Sequence, residues 1–198
     1  MDLIVSPAVL IPRPETEHVI ETVLELARTQ QAHRIVDVGT GSGCIALALA
    51  MEMPWARMEA VDISPAALEV ARANAHRLQL DHRIIFQQRD LLAGAPAATY
   101  DFVVSNPPYV SESEPEKAQC EVREFEPKVA VFAGESGLEV YRRLVPQAQE
   151  ALKPGGWLVV EIGYSLAPAV HELVKDWAEV RITPDLQGIP RVVAARRH

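Results

Sequence analysis

Arg34-Ile35-Val36-Asp37-Val38-Gly39-Thr40-Gly41-Ser42-Gly43-Cys44-Ile45-Ala46-Leu47-Ala48-Leu49-Ala50 is the stretch on which the fold turns. The β-branched residues of 34–38 read as a buried strand, the spaced glycines as a tight turn, and the Ile-Ala-Leu-Ala-Leu-Ala series as a helix running from Cys44 to Met53. A strand that enters a helix through glycines lets backbone approach a ligand, and the helix start offers N–H groups without intrahelical partners. Outward from this unit the alternation continues. The sequence predicts a strand over 57–62, a helix from Pro65 with Ser64 as N-cap, strands over 83–87 and 100–105, a helix over 138–152, a strand over 157–162 and a helix over 166–177. Strands alternating with helices imply an α/β, doubly wound, Rossmann-like fold with a mostly parallel sheet. Residues 179–183 and 191–195, joined by the turn-rich 184–190, bring the strands to seven and predict a closing hairpin with one antiparallel strand. Upstream, Met1–Pro14 reads as extended and 15–28 as an amphipathic helix with Val19, Ile20, Val23, Leu24 and Ala27 on one face. Val110–Gly137 reads as a long insertion of the kind that usually serves function.

Composition narrows the class. The chain has 198 residues, 48% apolar and 23% charged, enough for one sizeable core. A balance of 19 Lys+Arg against 27 Asp+Glu, net −8, opposes binding to a phosphate backbone. The longest uncharged run, Val38 to Met51, contains Thr and Ser and falls short of the roughly 20 residues a membrane span needs. Met1-Asp2 does not open a secretory signal. Cys44 and Cys120 make no disulfide framework, and neither they nor the histidines show metal-ligand spacing. These features read as a cytoplasmic monomer with no metal, no membrane contact and no direct nucleic-acid partner.

Two constellations carry chemistry. Around the glycine turn, Gly39, Thr40, Gly41, Ser42 and Gly43 form the candidate cofactor cradle, and Asp62, at the end of the second strand, is placed to accept from ribose hydroxyls. The spacing is G-x-G-x-G, not the dinucleotide G-x-G-x-x-G, and the carboxylate of Asp37 would crowd a pyrophosphate but suit a cationic amino-acid moiety. S-adenosylmethionine therefore fits better than a nicotinamide dinucleotide. Asp90, after the third strand, offers an acceptor for an adenine amino group, with the Leu91 backbone beside it.

The second constellation is Asn106-Pro107-Pro108-Tyr109 at the end of the fourth strand, the rim where open α/β sheets bind ligands. An amide or exocyclic amino nitrogen is a poor nucleophile because its lone pair is delocalised. Methylating it calls for acceptors that hold both N–H bonds and favour pyramidalisation. The Asn106 side-chain oxygen and the Pro107 carbonyl are those acceptors, the prolines fix the backbone, and Tyr109 is placed to stack on the planar group. Asn106, Pro107 and Tyr109 are the candidate catalytic residues.

With these motifs the chain resembles the protein-(glutamine-N5) methyltransferases of the HemK type, which modify the glutamine of the Gly-Gly-Gln loop of peptide-chain release factors. The resemblance covers nearly the whole chain. It extends to Ile11-Pro12-Arg13-Pro14-Glu15-Thr16-Glu17, Phe125-Glu126-Pro127, Gly134-Glu135-Ser136-Gly137-Leu138 and Asp185-Leu186-Gln187-Gly188-Ile189-Pro190-Arg191. It implies a class I S-adenosylmethionine-dependent methyltransferase fold and S-adenosylhomocysteine as product. It also implies cofactor contacts at Gly39, Gly41, Gly43, Asp62, Leu91 and Asn106, and glutamine contacts from Asn106 through Tyr109. Family members usually carry an N-terminal helical domain. On that reading residues 1–30 are a linker remnant packed on a catalytic domain of 31–198, with 110–137 as its insertion in the substrate region. Arg13 is either a residue of the substrate mouth or a partner for a nearby carboxylate. Glu112, Glu114, Glu116, Glu121, Glu124 and Glu126 form an acidic tract that reads as a solvated face, with contact to a basic release-factor loop as the alternative. A ribosomal-protein glutamine methyltransferase remains an alternative substrate assignment, and an adenine-N6 nucleic-acid methyltransferase a more distant one, opposed by the charge.

Overall fold

β1 (Arg34–Val38) is flanked on one side by β2 (Arg57–Asp62) and β3 (Ile84–Gln88). On the other side lie β4 (Tyr100–Ser105), β5 (Leu152–Glu161), β7 (Pro190–Arg196) and β6 (Glu179–Pro184), giving the order 3-2-1-4-5-7-6. This computed structural model describes residues 1–27, 33–113 and 126–198. All pairings are parallel except those of β7, which runs antiparallel to both β5 and β6. The expected doubly wound α/β sheet of seven strands with one antiparallel member is present.

Successive strand residues point to opposite faces, and each face has its own core. Phe102, Val104, Trp157 and Val159 join one cluster with α1 (Glu17–Ala27), α2 (Cys44–Glu52) and Ala75 of α3 (Pro65–Arg77). Val103, Leu158 and Val160 join the other, which contains residues from two later helices. These are α5 (Glu139–Ala151) and α6 (Ala167–Val174), preceded in the chain by the one-turn α4 (Lys128–Val131). The sheet and α1 both contribute to the cluster that buries α2, so α2 is apolar without a polar face. Ser64 caps α3 as expected, its hydroxyl oxygen accepting from the Ala67 N–H at 3.2 Å.

Element ends differ where tertiary contacts intervene. The helix expected from Glu15 begins at Glu17, because Pro14–Thr16 is a 3-10 turn. Residues 81–83 form a second such turn, and the Arg83 guanidinium there donates to the carbonyls of Met53 and Ala56, so β3 starts at Ile84. β5 begins five residues early, at Leu152, even though Pro154-Gly155-Gly156 has turn composition. An irregularity in the pairing with β4 absorbs it, and Gly155 and Gly156 exchange backbone hydrogen bonds with Arg197. The last expected helix stops at Val174, where a tight turn brings Trp177 inward. Among the described residues no helix is long and apolar enough to cross a membrane. Residues 28–32 and 114–125 lie outside the description, and with them Arg28, Cys120, Phe125 and Glu114, Glu116, Glu121 and Glu124 of the acidic tract.

Register brings the motifs together. Val38 pairs with Val61 and with Ser105, Asp62 with Gln88, and Ser105 with Val160. The residues that follow or end these strands, Gly39, Asp62, Asp90, Asn106 and Glu161, therefore line one rim. The strand order reverses between β1 and β4, the crevice where such sheets bind ligands.

Candidate active site

The glycine turn is held from behind. Asp37, fully buried in β1, accepts on Oδ2 from the Thr40 hydroxyl at 2.6 Å and from the Ala46 N–H at 3.2 Å, while its Oδ1 has no hydrogen-bond partner. Burial is the main cause that pushes its carboxyl up from 3.8 to about 7; the two hydrogen bonds pull the other way, and Asp62 adds a small upward push. The N–H groups of Gly39 and Thr40 both donate to the Val61 carbonyl, that of Gly41 to Asp62 and that of Gly43 to the Thr40 carbonyl. A phosphate cradle needs such amides free. Here they are used inside the protein, and the Asp37 carboxyl lies behind them.

In front of the turn the space is open. A Cβ built at Gly39, where φ is +69°, meets no atom within 4 Å. The cavity there is lined by Gly39, Thr40, Gly41, Ser42, Asp62 and Leu91, and further by Asp90 and Asn106. An acid-lined cradle in which the Gly39, Thr40, Gly41 and Gly43 amides are already bonded fits S-adenosylmethionine, which is cationic and carries no phosphate. Asp62 accepts from Gly41 N on Oδ2 and from Ser64 N on Oδ1, both at 2.9 Å, so it joins the glycine turn to the start of α3 and keeps lone pairs for a ligand. Asp90 also pairs with Arg143 of α5 at 2.6 Å. Leu91 has φ +51°, a left-handed conformation that a leucine seldom adopts, at the point where its backbone borders the cavity.

Two of the sequence-predicted cofactor residues do not line this cavity. Asp37 lies behind the turn. Gly43 is the N-cap of α2, and a Cβ there would come within 3.3 Å of Ala71 in α3, so its glycine serves close helix packing. Sequence reasoning missed the opposite wall, made by Ala8, Val9 and Leu10. That segment is tied down by buried Asn74 of α3, which accepts from Ile4 N at 2.6 Å and donates to the carbonyls of Ile4 and Ser42, both at 2.9 Å.

A second cavity, of about 660 Å³, opens on the far side of Asn106. Arg13, Pro107, Pro108, Tyr109, Glu161 and Arg191 line it. The two cavities share Leu10, Asn106, Pro108 and Ala130. Asn106 Nδ2 donates to Thr16 Oγ1 at 3.0 Å, and Thr16 donates in turn to Glu161 Oε2 at 2.7 Å. The Tyr109 hydroxyl donates to Glu161 Oε1 at 3.4 Å, and its ring lies where a side chain on Gly163 would crowd it. Burial and the Glu161 carboxylate push the Tyr109 phenol up, and burial raises Glu161 itself against the pull of Thr16 and Tyr109. Glu161 carries no local sequence signal, and Thr16 stands out only as part of the Ile11–Glu17 stretch.

Arg13 pairs with buried Glu126 and also lines the second cavity. The Asp185–Arg191 stretch forms a closed turn. Asp185 accepts from the N–H groups of Gln187 and Ile189 at 2.9 and 3.0 Å and from Arg191 Nε at 2.9 Å, and this aims the guanidinium into the same cavity, 4.0 Å from Glu15. Of the acidic tract, the described Glu112 is exposed and Glu126 is buried.

A methyltransferase small domain matches residues 17–123. The release factor glutamine methyltransferase of Koribacter versatilis (strain Ellin345) is 55% identical over 197 residues, which cover 99% of this chain and 70% of that protein. The enzyme of the same description from Geobacter sulfurreducens is 40% identical, with 99% and 68% covered. Among solved structures, the hMettl16 catalytic domain in complex with MAT2A 3'UTR hairpin 6 superposes with a TM-score of 0.75 at 19% identity, covering 99% of this chain and 75% of that one. The ribosomal protein L11 methylase of Lactobacillus delbrueckii subsp. bulgaricus gives 0.68 at 21%, covering 94% and 81%. At such identities these two structures establish likeness of fold, that of the class I methyltransferases.

Proposed function

The chain belongs to the release factor glutamine methyltransferases, and from that premise we propose that it methylates the side-chain amide nitrogen of the glutamine in the Gly-Gly-Gln motif of peptide-chain release factors. When bound, S-adenosylmethionine supplies an electrophilic methyl carbon on a sulfonium sulfur. The observation that carries the reading is the junction of the two cavities at Asn106, which gives donor and acceptor one point of contact. The Asn106 Oδ1 and the Pro107 carbonyl accept the two N–H bonds of the substrate amide, and Tyr109 and Pro108 wall its planar group. As the nitrogen–carbon bond forms and the carbon–sulfur bond breaks, positive charge grows on nitrogen, and these acceptors hold it more strongly than the neutral amide. The proton then leaves to solvent. Asp62, Asp90 and the Leu91 backbone orient the nucleoside, while Asp37 and Gly43 support the turn from behind.

The test is methyl transfer from labelled donor to purified release factor, ribosomal protein and DNA in parallel. Label is expected on the release factor alone and on none when its Gly-Gly-Gln glutamine is replaced by alanine. Label on ribosomal protein or DNA in preference would overturn the substrate assignment.

Gly137 provides a check on the acceptor wall. It sits at φ +76°, and a Cβ there would lie 2.6 Å from the Tyr109 carbonyl oxygen, a backbone atom that cannot swing aside. Gly137→Ala is expected to displace Tyr109 and lower kcat/KM for release factor by about tenfold or more, with cofactor affinity preserved. Initial rates beside calorimetric titration measure both, and an unchanged kcat/KM would show that the loop absorbs the methyl group.

A further inference from the structure

Asn106 is useful as an acceptor only if its carboxamide presents oxygen, not NH2, to the substrate. An asparagine free to turn over would offer both faces. We propose that Thr16 and Glu161 are positioning residues that fix this choice through a one-way chain of hydrogen bonds, so that Asn106 Oδ1 is held toward the acceptor cavity. This rests on the assignment of amide methylation to the site.

The direction follows from what each group can do. An ionised carboxylate only accepts. Glu161, 2% exposed at the end of β5, accepts from the Thr16 hydroxyl on Oε2 at 2.7 Å and from the Tyr109 hydroxyl on Oε1. Thr16, 3% exposed, has a single hydroxyl proton, and with that proton directed at Glu161 it meets Asn106 as an acceptor. Asn106 must therefore turn its NH2 to Thr16, which leaves Oδ1 as the group facing away. The three residues come from the 3-10 turn before α1, the end of β4 and the end of β5, and the pairing of Ser105 with Val160 fixes Asn106 beside Glu161. Reversing any link would set the Asn106 NH2 against the substrate N–H groups. The same logic explains a carboxyl that accepts on both oxygens in so buried a place. A neutral amide at position 161 can donate or accept, and it would leave the direction of the chain undecided.

The test compares Thr16→Val, Thr16→Ser, Glu161→Gln and the double variant T16V/E161Q. Thr16→Val keeps the side-chain shape and removes the hydroxyl. It is expected to lower kcat by about tenfold, more than it raises KM for release factor, with cofactor affinity by calorimetry within about twofold. Thr16→Ser, which retains the hydroxyl, should restore kcat. Glu161→Gln should lower kcat comparably, and the double variant should be little worse than T16V alone, because both act through one chain. Wild-type turnover of kcat from T16V, or full additivity in the double variant, would overturn the proposal. A readout independent of the substrate separates it from the functional reading. The Asn106 side-chain NH2 resonances, assigned by their loss in N106A, should show a hydrogen-bonded shift and slow exchange in the wild type and lose both in T16V. Resonances unchanged in T16V would refute the chain even if release factor proved not to be the substrate.

Discussion

Replacing Asn106 by alanine is expected to reduce methyl transfer to release factor by a hundredfold or more while the protein remains folded. Asn106 contributes the acceptor that strengthens as charge develops on the substrate nitrogen, and a hydrogen bond to a charged group is worth roughly 1.5–3 kcal/mol, about ten- to a hundredfold in rate. Loss of substrate alignment adds to this, since an amide held by one acceptor instead of two is free to rotate away from the methyl carbon. Stability should change little, because the residue is half-buried at a strand end and lies outside both apolar clusters. The deficit should fall on kcat, measured under saturating donor and release factor, with thermal melting as the control for folding. A variant within threefold of wild-type kcat would remove Asn106 from the chemistry.

The second large effect concerns stability. Asp37→Asn is expected to stabilise the ligand-free protein at alkaline pH by up to about 4 kcal/mol, the free-energy equivalent of raising a carboxyl from 3.8 to about 7. The folded state holds the Asp37 proton more tightly than the unfolded chain does. Its favourable contribution is complete below the unfolded value near 4, declines as pH rises toward 7, and is gone above that, where the buried carboxylate is ionised. Wild type and Asp37→Asn should therefore melt together near pH 4 and diverge progressively up to pH 8, with the asparagine variant the more stable. Denaturant unfolding across that range gives the curve, and parallel curves would show that burial does not hold this carboxyl protonated. A cationic donor in the neighbouring cavity favours the ionised form, so Asp37→Asn should also weaken S-adenosylmethionine binding at pH 8.

What was legible in the sequence is what local chemistry dictates. The strand, turn and helix around Gly39–Gly43 announce themselves through residue types that few other conformations tolerate, and Asp62 and Asn106 follow from standing at strand ends. Strand alternation gives the two-faced core without further information. Lateral neighbours are different. That Glu161 stands beside Asn106 depends on β5 pairing with β4 in one register, and no periodicity within either strand encodes it. The partnership of Asp90 with Arg143, the anchoring of Ile4 by Asn74 and the use of Ala8–Leu10 as a cavity wall are invisible for the same reason. Turn composition misled at Pro154-Gly155-Gly156 because pairing with β4 and with Arg197 satisfies a backbone that reads locally as a break. Asp37 and Gly43 flank the cavity in sequence, yet one is buried in β1 and the other packs against α3.

The hydrogen-bonded chain behind Asn106 also ties competence to the order in which the polypeptide folds. Thr16 and Glu161 are 145 positions apart, and Thr16 and Asn106 are 90. Contacts of such long range form late, since ordering the intervening chain must come first. The cofactor cavity also closes over long range, its Ala8–Leu10 wall tied down through Ile4 and Asn74, 70 positions apart. Donor binding and turnover should therefore return together on refolding, in one cooperative step that waits for β5 to reach β4.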